Sequence, residues 1–111
     1  MPHCIIEHSE NFKERIDAII NSVHTGTFNS GLFDEKDIKT RAVSYENFQT
    51  GTSKKPFIHV TSKILYGRNN EQKLKLSNAI LCQLKELKLV SCSLTVEVLN
   101  IDKASYAKFN G

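Results

Sequence analysis

The sequence predicts an α+β domain: two strand–helix–strand units forming a four-stranded sheet with both helices on one face. Three observations carry this. Two segments repeat apolar residues at helical spacing. Each is flanked by short β-branched or alternating runs. The order strand, helix, strand occurs twice, and a right-handed crossover turns each such unit into a pair of parallel strands. A chain of 111 residues suits a single domain over 1–111.

The first strand is read at residues 3–8, His-Cys-Ile-Ile-Glu-His, a short β-branched run. A helix follows. Phe12, Ile16, Ile19, Ile20 and Val23 share one face, and Lys13, Glu14, Asp17 and Asn21 take the other. Asn11 with Glu14 resembles a capping box, and the helix should fade by Thr25-Gly26. A loop over 26–37 leads to a second strand at about 38–48. There Lys39, Arg41, Val43 and Tyr45 alternate onto one side. A polar turn over 50–56 precedes the strand 57–66, which is apolar on both faces and so asks for cover on both. The second helix is expected over about 70–89. Asn69 and Gln72 cap it, and Leu74, Ser77, Ile80, Leu81, Leu84 and Leu87 form its inward stripe. In the last strand, 93–101, Leu94, Val96 and Val98 alternate against Thr95 and Glu97. With both helices on one side, the other sheet face is bare. An apolar bare face is sticky, so oligomerisation is expected to bury it.

Composition narrows the function classes. Hydrophobic residues make up 40% and charged residues 24%, which excludes a disordered chain, a collagen-like chain and a disulfide scaffold. No run is long enough to span a membrane. The N-terminus lacks the pattern of a signal peptide, and three cysteines without a Cys-x-x-Cys fit a reduced protein; a cytoplasmic location is expected. The cysteines read as small core residues. The net charge of +3 is spread along the chain, and the strand 57–66 lacks the Gly/aromatic motif of RNA-recognition modules, so no nucleic-acid partner is expected. RNA binding stays as an alternative that salt-dependent association would reveal.

His3, His8, His24 and His59 have no metal-ligand spacing, so no metal is expected. No nucleophile elbow or phosphate loop occurs. Pro2 offers other chemistry. Removal of Met1 leaves its ring nitrogen as a free secondary amine, held rigidly beside the apolar Cys4-Ile5-Ile6. A free α-amino group titrates near ~8, and burial or nearby cations lower that, giving a general base at neutral pH. Arg68, between strand and helix in Gly67-Arg68-Asn69-Asn70, suits a carboxylate by its planar fork and by its place at a helix N-terminus. Lys39 and Arg41 put two cations on one strand face, a pattern of either a ligand site or a solvated edge.

At these residues a family resemblance emerges. The opening Met-Pro-His-Cys-Ile-Ile-Glu-His-Ser-Glu-Asn resembles that of the 5-carboxymethyl-2-hydroxymuconate Δ-isomerases of the tautomerase superfamily. So do Ser30-Gly31-Leu32-Phe33 leading to residues 38–43, residues 57–61 with Lys63-Ile64-x-x-Gly67-Arg68, and Tyr106-x-Lys108. The resemblance implies a tautomerase-like fold and a homotrimer with sheets facing inward. It also implies Pro2 as general base and arginines, Arg68 among them, that bind substrate carboxylates. The implied reaction is a cofactor-independent proton shift in an unsaturated 2-hydroxy or 2-oxo di- or tricarboxylate from aromatic catabolism. The second strand departs from the family pattern: Lys39 stands where the first of two arginines is expected. Lysine keeps the charge but loses the fork. A related tautomerase acting on another 2-oxo acid, or a non-catalytic trimer that binds a ligand, are the alternatives.

Overall fold

The computed structural model describes residues 1–111. Four strands, β1 (His3–Ser9), β2 (Lys39–Tyr45), β3 (Phe57–Leu65) and β4 (Ser93–Ile101), form one sheet in the order β2-β1-β3-β4. β1 runs parallel to β2, β3 parallel to β4, and the two pairs meet antiparallel at β1 and β3. The predicted pair of strand–helix–strand units is therefore present.

Helices α1 (Ile16–Asn29) and α2 (Asn70–Lys85) cover one sheet face. Period-two alternation sends Cys4 and Ile6 of β1 and Ile58, Val60 and Ile64 of β3 toward them. These meet Ile19 and Val23 of α1 and Leu76, Ile80 and Leu84 of α2 in one core. Each fully buried Ile or Leu there contributes roughly 1.5–3 kcal/mol. The helices cross with their backbones touching at Gly26: a Cβ there would lie 2.6 Å from the Ile80 Cα. That close approach explains why α1 runs through Gly26 to Asn29 instead of fading at residue 26. The packing gain outweighs the weak helix propensity of glycine, about 1 kcal/mol.

Other boundaries also differ from expectation. Glu10–Arg15 forms a 3-10 turn that is kinked at Phe12, so Asn11 and Glu14 make no capping box and α1 begins only at Ile16. The inward stripe of α2 is Leu76, Ile80 and Leu84, while Leu74 is 61% exposed. Leu74 lies two residues from Leu76, about 200° around the helix, and so faces solvent. The cap at Asn69 forms as predicted: Asn69 accepts from the Gln72 backbone N–H at 2.8 Å, and the Gln72 side chain accepts from the Asn69 N–H at 3.0 Å. Cys4 is a core residue, whereas Cys82 is exposed on α2 and Cys92 is half-buried.

The bare face is not the apolar surface expected. Its rows, read across β2, β1, β3 and β4, are Lys39, His3, Lys63 and Leu99; then Arg41, Ile5, Thr61 and Glu97; then Val43, Glu7, His59 and Thr95. Cations gather at one end and both carboxylates lie farther along. No helix is long and apolar enough to cross a membrane.

Candidate active site

The antiparallel meeting of the two units places four strand ends together. β1 and β2 begin where β3 and β4 finish. Pro2 lies at this end, buried, with its carbonyl accepting the Lys39 backbone N–H at 3.1 Å. That bond extends the β1–β2 ladder by one step and fixes the start of the chain beside Lys39. Gly67, at φ +136°, turns the chain sharply after β3 and delivers Arg68 to the same end. Pro2, Lys39, Arg41 and Arg68, scattered in sequence, are thus brought to one region.

Arg68 is held by two contacts. Its Nη2 donates to the Leu32 carbonyl at 2.8 Å, and the guanidinium lies 5.4 Å from the centroid of the Phe33 ring. One nitrogen is committed, and the remaining N–H groups are available to an anion. The guanidinium borders a pocket of about 220 Å³ lined by Phe33, Leu65, Tyr66, Gly67 and Lys103. The helix N-terminus behind it is not a free anion site, because Asn69 and Gln72 close it with their reciprocal cap. An anion at this turn would meet the guanidinium and not helix amides.

The charge around the chain's start is unbalanced. The close carboxylate pairs in the structure, His24–Glu35 and His59–Glu97, both use histidines, and no lysine or arginine has such a partner. Burial pushes the Met1 amino group below its ordinary value. Asp37 opposes this, while Lys108, Arg68 and Lys39 push it down further. Lys39, not Arg41, is among the cations that act on the terminus. Both share the open face, but Arg41 sits one row deeper and reaches His3.

His3 carries two hydrogen bonds: Arg41 Nη1 lies 3.3 Å from its Nδ1, and the Tyr106 hydroxyl lies 2.9 Å from its Nε2. Burial and then Arg41, Lys39, the amino terminus and Lys63 lower its pKa. The candidate site thus includes His3, Lys63, Lys103 and Tyr106 beyond the residues singled out from sequence. Alternation from Cys4 and Ile6 could have put His3 on the open face. The strand register that sets it beside Lys63 and the fold-back of the tail have no local signal. His59 is bonded within the sheet, to Thr95 and Glu97. No three His, Cys, Asp or Glu side chains converge in a metal-binding group.

Comparison with known proteins gives the family. The model of the 5-carboxymethyl-2-hydroxymuconate isomerase family matches residues 2–111. The chain belongs to that family. It is therefore an isomerase of the tautomerase superfamily. A similar solved structure is a 5-carboxymethyl-2-hydroxymuconate isomerase from Deinococcus radiodurans R1. It has 22% identity over 99% of this chain and 90% of that one, with a TM-score of 0.82. A 5-carboxymethyl-2-hydroxymuconate delta-isomerase has 14% identity over 99% and 89%, with a TM-score of 0.81. A fused 4-OT described as an asymmetric trimer has 14% identity over 96% and 91%, with a TM-score of 0.83. No curated protein sequence matches the chain. Membership accounts for the shared sheet order and helix placement. At these identities the structural likeness speaks for the fold alone.

Proposed function

We propose that this isomerase moves a double bond in an unsaturated 2-hydroxy or 2-oxo di- or tricarboxylate such as 5-carboxymethyl-2-hydroxymuconate, with Pro2 as general base and no cofactor. The observation that carries the proposal is the buried chain start among cations that lack carboxylate partners. Loss of Met1 moves the terminal amine one residue inward, from a half-buried position to a buried one, among the same Lys39, Arg68 and Lys108. Desolvation and like charge both favour the neutral amine, the form a base needs. The same cations favour a dicarboxylate in that space.

In the reaction, the Pro2 nitrogen takes a proton from one end of the conjugated system, leaving a dienolate. The prolinium then returns the proton at the other end, and the double bond has moved. Arg68 holds a carboxylate through its uncommitted N–H groups. Lys39, the nearer of the two strand cations, stabilises the negative charge that develops on oxygen. A positioned base is worth typically ~10²–10⁴-fold and an aimed charge on the oxyanion ~10²–10³-fold.

The test uses two preparations, one with Met1 removed and one with it retained, each verified by mass. The trimmed protein should isomerise 5-carboxymethyl-2-hydroxymuconate, and the untrimmed one should lose at least 10²-fold, since its Pro2 nitrogen is an amide. Full activity with Met1 in place would refute the base. Lys39 supports a second reading, a related substrate with fewer carboxylates, because its point charge replaces a bidentate fork. On that reading Lys39→Ala leaves KM nearly unchanged for the true substrate.

The assembly proposed is a homotrimer with sheets facing inward. Val43 and Leu99 on the bare face are 45% and 44% exposed, and a neighbour would bury them.

A further inference from the structure

The tail after β4 is fixed to the cationic end of the sheet by a bond whose polarity can be read. Arg41 Nη1 approaches His3 Nδ1 at 3.3 Å. A guanidinium only donates, so Nδ1 must carry the lone pair. A neutral imidazole with a bare Nδ1 has its proton on Nε2. That nitrogen lies 2.9 Å from the Tyr106 oxygen, which therefore accepts. With an oxygen lone pair engaged, the phenolic proton is free to point away from His3. The two rings meet edge to face at 71°, which holds the phenol half-buried over the residue that follows Pro2. Tyr106 has no other side-chain partner in the structure.

We propose that His3 is a positioning residue, locked in the Nε2–H form by Arg41, and that it presents the Tyr106 hydroxyl to the substrate as a hydrogen-bond donor. This rests on the reading of Pro2 as base, which places the substrate at this end of the sheet. A neutral donor among cations gives direction as well as charge: it can bond one carboxylate or enolate oxygen without adding a further positive centre. The lowered pKa of His3, caused by burial and then by Arg41, Lys39, the amino terminus and Lys63, agrees with a neutral ring.

The experiment has two arms on the Met1-free protein. In the first, nitrogen-15 NMR of the histidine rings reads the His3 tautomer. The Nε2–H form is expected in the parent and in Tyr106→Phe, and a mixture of tautomers in Arg41→Met. In the second, kinetics on 5-carboxymethyl-2-hydroxymuconate are measured for Tyr106→Phe, His3→Leu and His3→Gln, and, as the control for the base, for protein that retains Met1. Tyr106→Phe should lose about 10- to 100-fold in kcat/KM, the worth of a hydrogen bond to a charged oxygen. His3→Leu should lose as much, and His3→Gln should recover most of it, because its amide can accept from Arg41 and donate to Tyr106. A merely structural role would give no such rescue. An Nδ1–H signal for His3, or a Tyr106→Phe that matches the parent while the Met1-retaining protein is inactive, overturns the proposal and leaves Pro2 as base. A Met1-retaining protein that matches the parent overturns the base, and with it the placement of substrate beneath Tyr106.

Discussion

At the residue scale the account turns on a nitrogen atom and the charges around it. Burial lowers the Met1 amine from its ordinary value, with Lys108, Arg68 and Lys39 adding to the effect against Asp37; the proposed base, the Pro2 amine freed by loss of Met1, would sit one residue inward among the same groups. The sign for activity follows: the base works when neutral, so kcat/KM should rise with pH through the amine's pKa. The midpoint of that limb should fall below ~8, the value of a free α-amino group. A pH–rate profile of the Met1-free protein checks this, and a midpoint at or above that value contradicts it. The carboxylate-binding role proposed for Arg68 is separable. Its Leu32 and Phe33 contacts only aim it, so Arg68→Ala should raise KM by about 10- to 100-fold, the worth of a charge-assisted hydrogen bond, and leave the fold intact. Circular dichroism beside steady-state kinetics would separate the two effects. Pro2, Lys39, Arg41 and Arg68 could be singled out in the sequence as a proline at the chain's start, two cations on one strand face and an arginine just before a helix. His3 and Tyr106 could not, since 103 residues separate them and only the fold-back of the tail joins them.

At the scale of elements, two local devices set the geometry. The Asn69–Gln72 cap starts α2 immediately after Arg68, and its signature is local, a polar residue followed three later by glutamine. Asn69→Ala should cost about 1 kcal/mol in chemical denaturation. Gly26 is the second device. Alanine there gains about 1 kcal/mol in helix propensity, but its Cβ meets backbone atoms of Ile80 and Ala79 that no rotamer change can move. Gly26→Ala should therefore be destabilised, by about 1–3 kcal/mol, and a lowered Tm would show it. A stabilised variant would mean the helices part easily at this crossing. The sequence pattern alone ended α1 at this glycine, since the neighbouring helix that rewards its lack of a side chain is distant in the chain. The misplaced Leu74 has a similar cause: α2 has leucines or other apolar residues on several sides, and only packing against the sheet and α1 selects Leu76, Ile80 and Leu84.

At the scale of the whole molecule, the sheet order β2-β1-β3-β4 gathers the four strand ends into one cationic region. Two similar units joined antiparallel at β1 and β3 make this unavoidable, which is why the architecture could be read from element order alone. The character of the bare face could not, because it depends on the register across four strands. That register pairs carboxylates with His59 and Tyr45 away from the site and leaves the cations near Pro2 without partners. For a homotrimer, sedimentation velocity should give three times the chain mass, with Leu99→Glu shifting it toward the single chain; a single-chain mass for the parent would contradict the assembly. The central claim is that the amine of Pro2 moves the proton. Its most direct test is the ultraviolet assay of 5-carboxymethyl-2-hydroxymuconate isomerisation by Met1-free protein and by the same protein acetylated at the Pro2 nitrogen, side by side. The account expects rapid turnover by the first and a loss of at least 10²-fold in the second; equal rates in the two would contradict it.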